Sequence, residues 1–144
     1  MSDRDVTEMV KAFYEETPFP NYDDLDTRES LVAKSRERLF AATLDAQLPN
    51  DAVVLEARCG TGQMMNFLGL SWRRRVFGGD ICINSLRLAN AFRERYRIAN
   101  AAFLQMNLFR TPFRDGSIDV AICNGVLHHT GDGRAGFEAL LRKA

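Results

Sequence analysis

Two glycines spaced two apart, Gly60 and Gly62, follow an apolar run that closes with an acid at Glu56. Glycines at such a turn let the backbone approach a bound molecule and bend sharply into a helix, whose amide end can receive a carboxylate. A second apolar run ends in Asp80, 18 residues past Gly62. A carboxylate there can accept hydrogen bonds from both hydroxyls of a ribose. A third stretch, from Asp119 to Thr130, carries Asn124, Gly125 and the paired His128 and His129. Histidine titrates near neutral pH, so either can serve as a general base or simply bond backbone at a helix entry. No metal site is expected, because adjacent histidines rarely share one ion and no carboxylate stands at a matching spacing.

The elements that must position these groups alternate between short apolar runs and helical periodicity from Asp51 onward, the mark of a parallel sheet wound with helices. Strands are expected at 52–56, 75–80, 101–106 and 118–123, with helices at 63–70, 85–98 and 133–142. Leu88, Ala89, Phe92 and Tyr96 form the inner face of the middle helix. In such sheets ligands bind at the C-terminal strand ends, which is where Glu56 to Gly62, Asp80 to Ile83, Met106 to Leu108 and Asn124 to His129 fall. Two helices precede the sheet. The first spans Asp3 to Glu16 with Ser2 as cap, and stops before Thr17-Pro18. The second opens on a capping box of Asp26 and Glu29, buries Leu31, Ser35, Leu39, Ala42 and Ala46, and ends before Pro49.

Composition narrows the class. With 144 residues, 46% of them apolar, the chain has a real core and is neither disordered nor fibrous. It holds no apolar run of membrane-spanning length and no signal-peptide h-region, so a cytoplasmic protein is expected. Three cysteines without a C-x-x-C spacing argue against a disulfide framework or zinc finger. Zero net charge hides nine acids against three bases in residues 1–30, a net −6 that leaves +6 on the rest. An acidic arm lying on a basic body is the expected arrangement, and no aromatic-interleaved basic stripe points to nucleic acid.

The segment Val54-Leu55-Glu56-Ala57-Arg58-Cys59-Gly60-Thr61-Gly62 resembles the first motif of the class I S-adenosylmethionine-dependent methyltransferases, and the resemblance extends over roughly residues 51 to 141. It implies an α/β, Rossmann-like parallel sheet in the order 3-2-1-4 with helices on both faces, binding S-adenosylmethionine. Glu56, Ala57, Cys59, Gly60, Thr61 and Gly62 would then form the methionyl loop, with Glu56 organising it through the cofactor's ammonium group. Asp80 and Ile81 would hold the ribose. Met106 and Leu108 would sandwich the adenine, with Asn107 reading its amino group. Asn124 and Gly125 would line the sulfonium side, and the loop through His128 and His129 would face the acceptor. Asp119 to Thr130 looks like the fourth motif of members that act on small molecules rather than the Asn-Pro-Pro-Tyr type of many nucleic-acid enzymes. A small-molecule acceptor is therefore expected. The spacing does not give G-x-G-x-x-G, although the Asp80 geometry is shared with NAD enzymes, so a dinucleotide-binding oxidoreductase is the lesser alternative.

Two departures stand out. Arg58 occupies the first glycine position of the motif; at positive φ it costs on the order of 1 kcal/mol, and its side chain must enter the cofactor space or pass over the loop. Members of the family also continue into three further strands, so this chain reads as truncated, with strand 4 an exposed edge prone to self-association. A non-catalytic cofactor-binding or interaction remnant is the second functional reading. Residues 1–50 are expected to form an arm or lid over a cofactor domain at 51–144, with Tyr14, Phe19, Asn21 and Tyr22 closing over the pocket.

Overall fold

The computed structural model describes residues 2–22, 26–124 and 132–144. Helix α1 (Asp3–Glu16) leads into α2 (Arg28–Glu37) and α3 (Leu39–Gln47). Then follow β1 (Val53–Ala57), α4 (Gln63–Leu68), β2 (Arg75–Asp80), α5 (Ile83–Arg95), β3 (Ala101–Gln105), β4 (Val120–Ile122) and α6 (Gly133–Leu141). The four strands form one parallel sheet in the order β3-β2-β1-β4, as the resemblance implies. Strand alternation sorts the core into two layers. Val54, Val76, Ala101 and Ile122 face Leu31, Met65, Leu68 and Phe92 on one side, while Leu55, Ala57 and Ala121 face Ile118, Phe113 and Leu140 of α6 on the other.

The N-terminal segment differs from expectation. Three helices precede the sheet rather than two, because the backbone becomes extended at Arg38 (φ −88°, ψ 110°). A continuous helix would carry Leu39 inward four residues after Ser35. The break instead turns Ala41 and Leu44 to the core and leaves Leu39 83% exposed, with Ala46 also outside. The cap of α2 is Thr27 with Ser30, not Asp26 with Glu29; Asp26 is buried and receives the Lys34 ammonium at 2.5 Å. On α5 the buried face is Ser85, Leu86, Ala89 and Phe92, with Leu88 outside, since the helix starts at Ile83.

Hydrogen bonds rather than charge attraction dock the N-terminal arm. Among the described residues no ion pair joins residues 2–22 to the sheet domain. Glu15 instead accepts from the Ile83 amide at 3.1 Å, capping α5, and its carbonyl accepts from Asn84 at 3.2 Å. Phe19, Pro20 and Asn21 offer their carbonyls to the Thr61 amide (3.4 Å), the Thr61 hydroxyl and the Gln63 side chain (3.0 Å). Arg74 is 1% exposed and ties α3 to α4 through Asp45, Leu48 and Leu68. No described helix is long and apolar enough to cross a membrane.

Two left-handed glycines separate backbone strain from crowding. Gly62 (φ +71°) has no room for a Cβ, which would run into the Phe103 ring and lie 2.8 Å from the Ala89 Cβ, whereas Gly116 (φ +68°) has open space around it. Gly62→Ala is therefore expected to destabilise the chain by about 3 kcal/mol and Gly116→Ala by about 1 kcal/mol. Urea melts of both variants check this; equal losses would contradict the crowding at Gly62.

Candidate functional site

The loop after β1 is built by three left-handed residues in alternation, Arg58 (φ 58°), Gly60 (φ 57°) and Gly62 (φ 71°). Arg58 thus has the positive φ on which its backbone cost depends. The Cys59 amide bonds the Gly79 carbonyl at 3.0 Å, and the Gly62 amide bonds the Cys59 carbonyl at 3.0 Å. Asp80 fixes the arrangement from the next strand: Oδ2 accepts from the Gly60 amide and Oδ1 from the Cys82 amide, both at 2.9 Å. Gly60 has no substitute, because a Cβ would collide with the Phe19 carbonyl of the arm.

A cavity of about 390 Å³ opens at this edge, within the range for small-molecule and cofactor sites. Glu56, Cys59, Gly60, Asp80, Ile81 and Asn124 line it, and so do Tyr14 and Phe19 from the arm. Ala57, Thr61 and Gly62 lie behind the wall and shape the loop. A second cavity, only about 30 Å³, holds Met106, Asn107 and Leu108 together with Thr7 and Val10 of α1. Arg58, Val10 and Ile81 line both spaces and form the wall they share. Asn107 spends its side-chain oxygen on the Phe109 amide at 2.8 Å. Tyr22 points elsewhere: it stacks on Phe92 at 4.6 Å and accepts from Asn66 at 3.1 Å. Asn21 reaches the site only through its carbonyl on Gln63. Gly125, His128 and His129 lie outside the described residues.

Electrostatics divide the two acids. Glu56 is buried, its Oε2 has no hydrogen-bond partner, and burial followed by the Asp80 charge pushes its carboxyl up to about 8. Burial also raises Asp80, but the Cys82 and Gly60 amides and then the Arg58 guanidinium oppose that rise. Asp80 therefore ionises first and Glu56 carries the proton near neutrality. Cys59 and Cys82 line the same cavity while Cys123 is half-buried; all three are free, and burial holds the Cys59 thiol well above its ordinary range, neutral rather than nucleophilic.

Sequence reasoning missed part of the wall. Lys11 of α1, Ser35 of α2, Arg38 and Phe40 at the helix break, and Gln63 and Met64 of α4 all line the cavity. Arg38 and Phe40 carry no local signal. They reach the cleft only because the helix breaks there.

The methyltransferase-domain family matches over residues 55–143, more than half the chain. An uncharacterised protein of Synechococcus is 33% identical over 92 residues, covering 62% of this chain and 22% of that protein. The YcgJ protein of Bacillus subtilis superposes with a TM-score of 0.62 at 22% identity, over 81% of this chain and 46% of that one. The magnesium protoporphyrin IX methyltransferase of Synechocystis, solved with bound S-adenosylhomocysteine, gives 0.68 at 21% identity, over 92% and 65%. This chain thus spans less than two thirds of each of these relatives, and at such identities the likeness to solved structures establishes the fold alone. The family match falls on methyltransferases and displaces the dinucleotide alternative. The chain belongs to the class I S-adenosylmethionine-dependent methyltransferase family, and that membership names S-adenosylmethionine as the cofactor.

Proposed function

We propose that residues 51–144 bind S-adenosylmethionine at the C-terminal edge of the sheet, under a lid formed by residues 1–50, for methyl transfer to a small molecule. The observation that carries this is that Glu56, which lines the cavity, has a buried Oε2 without a hydrogen-bond partner. A buried carboxylate without a donor is costly unless a ligand supplies one, and the ammonium of the cofactor's methionyl end is such a donor. Asp80 would take the ribose hydroxyls with the lone pairs its two amides leave free. Met106 and Leu108 would flank the adenine beside Asn107, and Asn124 and Gly125 would line the sulfonium side.

When bound, S-adenosylmethionine supplies a methyl group on positively charged sulfur, already activated for in-line attack. The chain's residues then have only to orient and to exclude water. Tyr14, Phe19 and Pro20 roof the cavity. A roofed cavity of this size favours a small acceptor over a polymer. His128 or His129 would serve as base where the acceptor must lose a proton. The free thiols suit a reducing, cytoplasmic setting, and β4, bonded to β1 alone among the described strands, is the edge available for self-association. Arg58 favours a second reading, a cofactor-binding or interaction remnant without turnover, because it lines both cavities and the adenine side holds only about 30 Å³.

Calorimetric titration with S-adenosylhomocysteine tests the first reading. Glu56, protonated near pH 7 in the free chain, must ionise to meet the ammonium. Binding should release close to one proton, and affinity should rise about tenfold per pH unit from 6 toward 8. Glu56→Gln should abolish that slope. Identical apparent enthalpies in phosphate and Tris would contradict the role of Glu56, and no binding would overturn the cofactor site. Stability follows the opposite sign: the folded value near 8 lies above the unfolded one of 4.5, so the free chain loses stability as pH rises between them. Glu56→Gln should melt higher than the parent chain at pH 8.5.

Arg58→Gly should raise S-adenosylhomocysteine affinity about fivefold, the equivalent of roughly 1 kcal/mol, by opening the passage between the cavities. Unchanged affinity would show that Arg58 does not obstruct the site. Binding seen only in Arg58→Gly would overturn cofactor binding by the parent chain and favour an interaction remnant.

A further inference from the structure

We propose that the mouth of the cleft is a subsite for an amphiphilic anion, an acceptor with an apolar, planar body and a carboxylate-class acid group. This rests on the reading of the cleft floor as the cofactor site. The two acids of the cavity lie at its floor, Glu56 and Asp80 at 9% and 7% exposed with Arg58 beside Asp80, while half-buried Lys11 and exposed Arg38 line the same cavity from the arm side. Among the described residues neither cation has an ion pair or a side-chain hydrogen bond. Lys34, Arg74, Arg134 and Lys143 by contrast each hold a carboxylate.

The arm makes the arrangement more telling. Residues 1–30 carry a net −6, yet among the described residues the one charged side chain they turn into the cavity is Lys11. Arg38 enters through the break between α2 and α3, which also brings Phe40 to the cavity while leaving it 48% exposed. Phe19, 69% exposed, and Tyr14 complete an aromatic rim, with Phe13 edge-on against Tyr14 at 5.2 Å. Exposed aromatic faces beside unpaired cations complement a molecule that is apolar over its body and anionic at one end. The floor suits the cationic cofactor and the mouth suits its opposite.

The probes are 1-naphthoate and its neutral counterpart 1-naphthalenemethanol, titrated into the full chain with and without saturating S-adenosylhomocysteine, with binding followed by ligand-observed NMR. The acid is expected to bind about tenfold tighter than the alcohol. Lys11→Gln/Arg38→Gln should erase that preference while leaving alcohol and S-adenosylhomocysteine affinities within about twofold, the latter also showing that the variant folds. Arg38→Lys should keep the preference. Equal binding of acid and alcohol, or a preference that survives the double variant, would overturn the subsite. A double variant that loses S-adenosylhomocysteine affinity would also overturn it, assigning the cations to the cofactor's own carboxylate. Absence of S-adenosylhomocysteine binding by the parent chain would instead sink the cofactor reading, and the acid preference without it would still be read on its own.

Discussion

One carboxylate holds the two loops that make the cleft. Asp80 accepts from the Gly60 amide with one oxygen and from the Cys82 amide with the other, each bond of the charge-assisted kind worth roughly 1.5–3 kcal/mol. It thereby fixes the left-handed turn after β1 against the entrance to α5. Much else follows from that contact. Gly60 is held where the arm carbonyls of Phe19 and Pro20 can reach the loop, and α5 is held where Glu15 can cap it. The cavity is the space left between these attachments.

The same contact decides which acid is charged. Two buried carboxylates near each other cannot both ionise cheaply. Burial and then the charge of Asp80, itself held by two amides and a nearby guanidinium, leave Glu56 neutral, without a donor for its buried Oε2. A site organised this way is incomplete until a cation arrives. Arg58 adds a counterweight, since it favours the Asp80 charge while lining both spaces from strained backbone.

Much of this was legible in the sequence where local chemistry decides the outcome. The glycine pair, the acids closing β1 and β2, and the positive φ at Arg58 all sit where strand ends and turn geometry demand them. Strand order followed from the family resemblance. The break at Arg38 was not legible: no glycine or proline marks it, and tertiary packing of Ala41 and Leu44 overrides a helical pattern that reads as continuous. The acidic arm was visible in the charge count, but its docking was not, because backbone carbonyls do the work and carbonyls have no sequence. Tyr22 shared the arm's aromatic pattern with Phe19 yet went to the core, a choice set by Phe92 and Asn66 far along the chain.

Fold likeness alone does not name an acceptor, and the role of the cleft depends on whether the cofactor occupies this edge. The most direct test is an amide NMR titration of the whole chain with S-adenosylhomocysteine. Saturable shifts should appear together at Gly60, Cys82 and Leu108 and at Tyr14 and Phe19 of the arm, since one ligand spanning both cavities touches all of these segments. Saturation with Gly60 and Cys82 unmoved and shifts confined elsewhere would contradict it.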